Sequence, residues 1–195
     1  PLMKAGQTVA YRQMPFSTDT KAANTDTADA DSKVKLSNRK NEAQIKITGD
    51  NFEVAFNKQT GLLESYVAGG TSMLGEGGTL KPLFWRAVTD NDMGAGMQLK
   101  CKVWRNPQMT LRQLSAEQDG KGAQVVAVYD MPAVKAQLAL TYNVAADGSM
   151  AVTEAMTTTS GADISPMFRF GMVMELPYDM DLSTFYGRGP IENYA

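Results

Sequence analysis

The sequence predicts an all-β protein, a large antiparallel sandwich of two sheets. Three observations predict it. From Ala43 onward apolar side chains recur with a period of two, and glycine-containing turn text interrupts them at spacings of roughly 8–12 residues. No stretch holds a convincing helical period. In AQIKITGDNFEVAFN, Ile45 and Ile47 share one face, Gly49-Asp50-Asn51 breaks the run, and Phe52, Val54 and Phe56 resume the alternation, which is a hairpin. KQTG (residues 58–61) makes the next turn, LLESYV (62–67) the next strand, and Gly69-Gly70 another break. The rhythm returns in MTLRQLSAEQ, the turn DGKG, AQVVAVYDM, VKAQLALTYNV, the turn ADGS and MAVTEAMTTT. Residues 132–140 come nearest to a helix, but Val134, Ala136, Leu138 and Leu140 alternate, so a strand is expected there. The strands are too long and too numerous for an immunoglobulin-like domain.

Domain organisation follows from composition. Residues 1–16 read as a short strand-like stretch, with Val9, Tyr11 and Gln13 in alternation, and are assigned to the tail of a preceding domain. STDTKAANTDTADADS (17–32) has no large apolar side chain to offset the ordering of its backbone, so residues 17–40 are assigned to a linker and 41–195 to the sandwich.

Composition also excludes function classes. Nineteen basic and 21 acidic residues are interspersed without a basic block, which argues against a nucleic-acid partner. No apolar run approaches the roughly 20 residues needed to cross a bilayer as a helix, so no membrane partner is expected. The single cysteine, Cys101, forms no internal disulfide and reads as a small buried hydrophobe. The chain has no histidine, which removes Ser-His-Asp and Cys-His catalysis and histidine-centred zinc sites and leaves carboxylate or tyrosine chemistry.

Two segments break the hairpin rhythm. In PLFWRAVTDNDMGAGMQ (82–98) a strand runs through Arg86 into Asp90-Asn91-Asp92, then Gly94 and Gly96. One reading folds the three side chains back as Asx turns, with both glycines at positive φ. The other turns the same oxygens toward a sugar or a hard cation, although the spacing is not that of a calcium loop. In FYGRGPIENYA (185–195), Gly187 and Gly189 flank Arg188, Pro190 fixes a turn, and Glu192, Asn193 and Tyr194 follow. No Gly-Lys-Ser/Thr supports a phosphate loop. A structural turn with Arg188 paired to Glu192 is expected. Glycoside hydrolysis needs two carboxylates roughly 5–9.5 Å apart, so a lone Glu192 is no catalyst.

In the order NFEVAFNKQTGLLESYVAGGTSML, LKPLFWRAVTDNDMG, a long β stretch and FYGRGPIENYA, residues 43–195 resemble the C-terminal small-chain domain of glycoside hydrolase family 2 β-galactosidases. Val88 stands where that family usually has proline. The resemblance implies a galactose-mutarotase-like super-sandwich that breaks off inside the second motif and is therefore incomplete at its C-terminal end. It further implies that residues 1–16 close an immunoglobulin-like domain, and that the acid/base and nucleophile glutamates lie in a separate barrel domain. No catalytic residue, metal or cofactor is then expected in this chain; divalent or monovalent cations would belong to the parent's barrel. The resemblance puts Arg86, Asp90, Asn91, Asp92 and Gly94 on the rim of the β-galactoside pocket, with Gly94 and Gly96 as hinges, and gives the second motif a structural role. The expected partners are the other domains of the parent and, through unpaired strand edges, further copies of the chain. The rival is an autonomous carbohydrate-binding module presenting Tyr66, Trp85, Trp104 or Tyr142; exposed rings would favour it and buried rings would not. An aldose mutarotase, the third reading, would need the histidine that the chain lacks.

Overall fold

The computed structural model describes residues 34–119 and 121–182. Residues Thr25–Asp179 form one compact unit; of a second unit, Pro1–Asn24 with Met180–Ala195, only Met180, Asp181 and Leu182 are described. The first unit is an antiparallel two-sheet sandwich. One sheet takes β1 (Lys35–Ser37), β2 (Gln44–Thr48), β3 (Phe52–Asn57), β4 (Leu63–Ala68), β5 (Thr71–Ser72), β6 (Leu80–Pro82) and β11 (Met172–Met174), in the order β1-β2-β3-β4-β6-β11 with β5 on β4. The other is a meander of β7 (Thr110–Gln118), β8 (Gly122–Met131), β9 (Ala136–Ala145) and β10 (Met150–Thr158). β1 falls within residues 34–40 of the segment assigned to the linker, where Val34 is buried and its carbonyl accepts a 2.6 Å hydrogen bond from Gln118 Nε2.

Alternation places the core as a two-residue period must. Ala123, Val125, Ala127, Tyr129 and Met131 of β8, and Ala136, Leu138, Leu140, Tyr142 and Val144 of β9, are buried on one face. Ile45, Ile47, Phe52, Val54, Phe56 and Leu63 are buried from the first sheet. Phe56 and Tyr142 join the two layers edge to face, with ring centroids 4.8 Å apart. Two tyrosine hydroxyls tie turns to the opposite sheet: Tyr129 donates to Thr60 O at 2.8 Å and Tyr66 to Gly148 O at 2.7 Å. The turn at 58–61 forms as read, with Asn57 Oδ1 accepting from the Gln59 and Thr60 amides at 2.8 and 3.1 Å and Gly61 at φ +73°.

Two local expectations are corrected. The strand expected from Pro132 begins only at Ala136: Pro132–Val134 is a 3₁₀ turn, closed by Lys135 at φ 51°. Proline fits the first position of such a turn, and Val134 stays buried, so its apolar character mimicked the strand alternation. Helix is also present, contrary to the reading, as α1 (Asp90–Gly94), α2 (Met97–Lys100) and a 3₁₀ turn at Lys102–Arg105. All three lie between the sheets in sequence, at the segment singled out for function.

Candidate functional site

The segment leaves β6 with alternating burial. Phe84 points inward and meets Trp104 edge-on, centroids 5.4 Å apart, and Trp104 is fully buried with Nε1–H donating to Ser165 O at 2.9 Å. Trp85, half-buried, packs edge-on against Phe168 at 4.9 Å, and the Arg86 guanidinium lies 4.7 Å above the same Phe168 ring. The aromatic floor thus orients Arg86 before the loop begins. Cys101, as expected, is fully buried.

Arg86 then grips Asp92 through two hydrogen bonds, Nη1 to Oδ2 at 2.6 Å and Nη2 to Oδ1 at 3.2 Å. Thr89, extended at φ −93° and ψ 169°, caps α1: its Oγ1 accepts from the Asp92 amide at 3.3 Å, while its own amide donates to Asp92 Oδ2 at 2.8 Å. This is a reciprocal capping box with Asp in the place more often held by Glu or Gln. The acidic groups Asp90 and Asp92 sit in the first turn, where the helix dipole favours negative charge.

The expected Asx turns are therefore replaced by a capped helical turn. Thr89-Asp90-Asn91-Asp92 carries the Ser/Thr-x-x-acid pattern that could have revealed it. Asp92 gives both oxygens to Arg86 and Thr89, so its carboxylate serves as a brace. Asp90 and Asn91 are exposed, as are Met93 and Leu99, at 49% and 68%. Among the described residues no three His, Cys, Asp or Glu converge to hold a metal ion. Residues missed by the sequence reading include Gln98, whose Oε1 is shut off from solvent with no hydrogen-bond partner.

Gly94 is corrected as well. It lies inside α1, without the positive φ expected of it, and a Cβ placed there would meet nothing within 4 Å. Gly96 alone takes the left-handed conformation, at φ 68°, as it opens α2. Gly94→Ala is therefore expected to leave stability unchanged or raise it by up to about 1 kcal/mol, through helix propensity. Gly96→Ala should lower it by roughly 1 kcal/mol. Urea unfolding of the two variants checks the contrast.

The Arg86 hydrogen bonds, then the Thr89 amide, hold the Asp92 carboxyl down, from 3.8 to about 2. The unfolded chain thus binds this proton more tightly than the folded one. The stability that Asp92 contributes is complete above 3.8 and disappears as pH falls through about 2. Asp92→Asn should flatten the acid limb of the stability profile between these values, and thermal unfolding from pH 5 to 2 measures it.

A second carboxyl, Glu154, is pushed up from 4.5 to about 7 by burial. Neither β9 nor β10 carries another carboxylate to form a hydrolytic pair with it. Trp104 and Tyr142 are buried, and Tyr66 and Trp85 are half-buried and engaged with Gly148 and Phe168, so these rings form no exposed sugar-stacking face. Gly187, Arg188, Gly189, Pro190, Glu192, Asn193 and Tyr194 lie outside the described residues.

Fold and site together define a β-sandwich domain carrying a helical loop braced by an arginine–aspartate pair, with its polar tip outward. Residues 48–195 match the family model of the β-galactosidase small chain, and the chain belongs to that family. It is 34% identical over 199 residues to a β-galactosidase of Priestia megaterium (strain DSM 319 / IMG 1521), covering 97% of this chain and 18% of that protein. β-Galactosidases of Halalkalibacterium halodurans and Lactobacillus delbrueckii subsp. bulgaricus are 29% and 32% identical over 79% and 76% of the chain. In each of these two the match spans 15% of the relative's length.

Proposed function

We propose that this chain acts as the small-chain part of a β-galactosidase, in which it borders the β-galactoside pocket and packs on the other domains without cleaving the bond. Cleavage then falls to a carboxylate pair in a separate barrel domain, where any cation would also reside. The observation that carries the rim reading is the braced turn. Arg86, Asp92 and Thr89 spend their polar groups holding α1, which leaves Asp90 and Asn91 directed outward beside the exposed Met93 and Leu99. A polar pair flanked by apolar knobs suits a surface that meets both a sugar and a neighbouring domain. The buried rings speak against an autonomous sugar-binding module.

The test replaces Asp90 and Asn91 together by alanine in the β-galactosidase polypeptide that carries this domain. A fall in kcat/KM of about tenfold, equivalent to about 1.4 kcal/mol, is expected with little change in Tm. Unchanged kinetics would refute the rim role.

A further inference from the structure

Sheet edges differ sharply in how they are protected. β1 and β11 are three residues each and β5 is two, and β7 carries Arg112, Glu117 and a bulge between Leu111 and Gln113. Among the described residues the remaining edge, β10, pairs only with β9; it runs straight for nine residues with no proline, no bulge and one charge, Glu154. That charge points inward. Glu154 stands opposite the buried Leu140 and alternates with the half-covered Val152 and Met156, while Ala151, Thr153, Ala155 and Thr157 face out. Its Oε1 is closed off from solvent without a hydrogen-bond donor, and so is the hydroxyl of Tyr142. An inward-pointing charge on an edge strand is a known way of refusing a further strand.

Glu154 is also the midpoint of Met150–Thr158. If β10 pairs antiparallel with β10 of a second copy about that midpoint, Val152 meets the partner's Met156, Thr153 the partner's Ala155, and Ala151 the partner's Thr157. Apolar groups meet on the inner face and small ones on the outer. The sole unfavourable contact is Glu154 against the partner's Glu154, because like charges directly opposite destabilise a ladder.

We propose that β10 is a self-pairing edge through which two copies of this chain join their four-stranded sheets, and that the Glu154 carboxyl decides whether they do. Ionised, the two carboxylates repel across the two-fold axis. Protonated, each acid can donate to the other and satisfy the oxygen that is unpaired in the single copy. The half-covered Val152 and Met156 then extend the core across the junction. Burial supports the switch by raising the Glu154 carboxyl to about 7. The titratable group facing it from β9 is Tyr142, itself raised by burial and by Glu154; β9 has no charged residue. β3, whose Phe56 touches Tyr142, bears only Glu53, paired with Lys46.

Sedimentation velocity of the chain over a range of concentrations, at about pH 6 and about pH 8.5, tests this independently of any sugar chemistry. Self-association should be at least several-fold tighter at the lower pH. Glu154→Gln should associate equally at both pH values. Glu154→Lys, checked for folding by far-ultraviolet circular dichroism, should stay monomeric at both, which separates edge pairing from a general loss of charge near the isoelectric point. The inference is overturned if wild type and Glu154→Gln are monomeric throughout, if wild-type association ignores pH, or if folded Glu154→Lys associates like wild type. If Glu154→Lys does not fold, the pH response of Glu154→Gln decides.

Discussion

Replacing Trp104 by alanine is expected to cost about 3–5 kcal/mol, the range for deleting a large buried aromatic. Three losses combine. The fully buried indole vacates the volume beneath the helical segment, Phe84 loses its edge-on partner at 5.4 Å, and the Ser165 carbonyl loses its 2.9 Å hydrogen bond. The Phe84–Trp104 contact joins the irregular segment that follows β6 to the 3₁₀ turn beyond α2, so the penalty falls on the frame of the candidate site. For a unit of this size Tm should drop by roughly 10 °C. Chemical denaturation of Trp104→Ala measures the effect; a loss under about 1 kcal/mol would mean that the frame does not depend on this ring.

Gly61→Val should be comparably severe, for a different reason. Gly61 sits at φ +73°, where a β-branched residue is strained by roughly 1–2 kcal/mol. A Cβ there would also lie 2.6 Å from the Tyr129 hydroxyl and 2.8 Å from Leu111 Cδ1. Relieving that contact requires Tyr129 to move from its 2.8 Å hydrogen bond to Thr60 O, and overpacking of this kind typically costs about 1–3 kcal/mol. The combined loss of about 2–5 kcal/mol is readable by urea titration. Gly61→Ala should show most of it, since alanine already brings the Cβ that is strained at this φ and meets Tyr129 and Leu111; the valine branch adds the rest. Equal stability of all three proteins would disprove the tight approach of turn and sheet.

The contrast between the 58–61 turn and the 82–98 segment shows what the sequence discloses and what it withholds. Ile45, Ile47, Val54 and Phe56, or the alternating residues of β8 and β9, announce their strands because a half-buried strand imposes a period of two on its own residues. α1 is five residues long, too short to show a helical period, and its Asp-Asn-Asp text is equally good turn chemistry. Only the Thr89–Asp92 reciprocity separates the two, and its trace in the sequence is a bare Thr-x-x-Asp. The Arg86–Asp92 brace joins residues six apart across an irregular corner, and β6 pairs with β11 ninety residues away. No local pattern encodes either. The inward direction of Glu154 was legible in principle from Val152 and Met156; its isolation was not, because that depends on which neighbours reach it.

The measurement that bears most directly on the central claim is turnover of a chromogenic β-galactoside by the purified chain. If, as proposed, the hydrolytic carboxylate pair belongs to another domain, this chain should show no saturable hydrolysis at any pH between about 5 and 8. Saturable hydrolysis that disappears in Glu154→Gln or Asp92→Asn would contradict the account, by placing the chemistry within this chain.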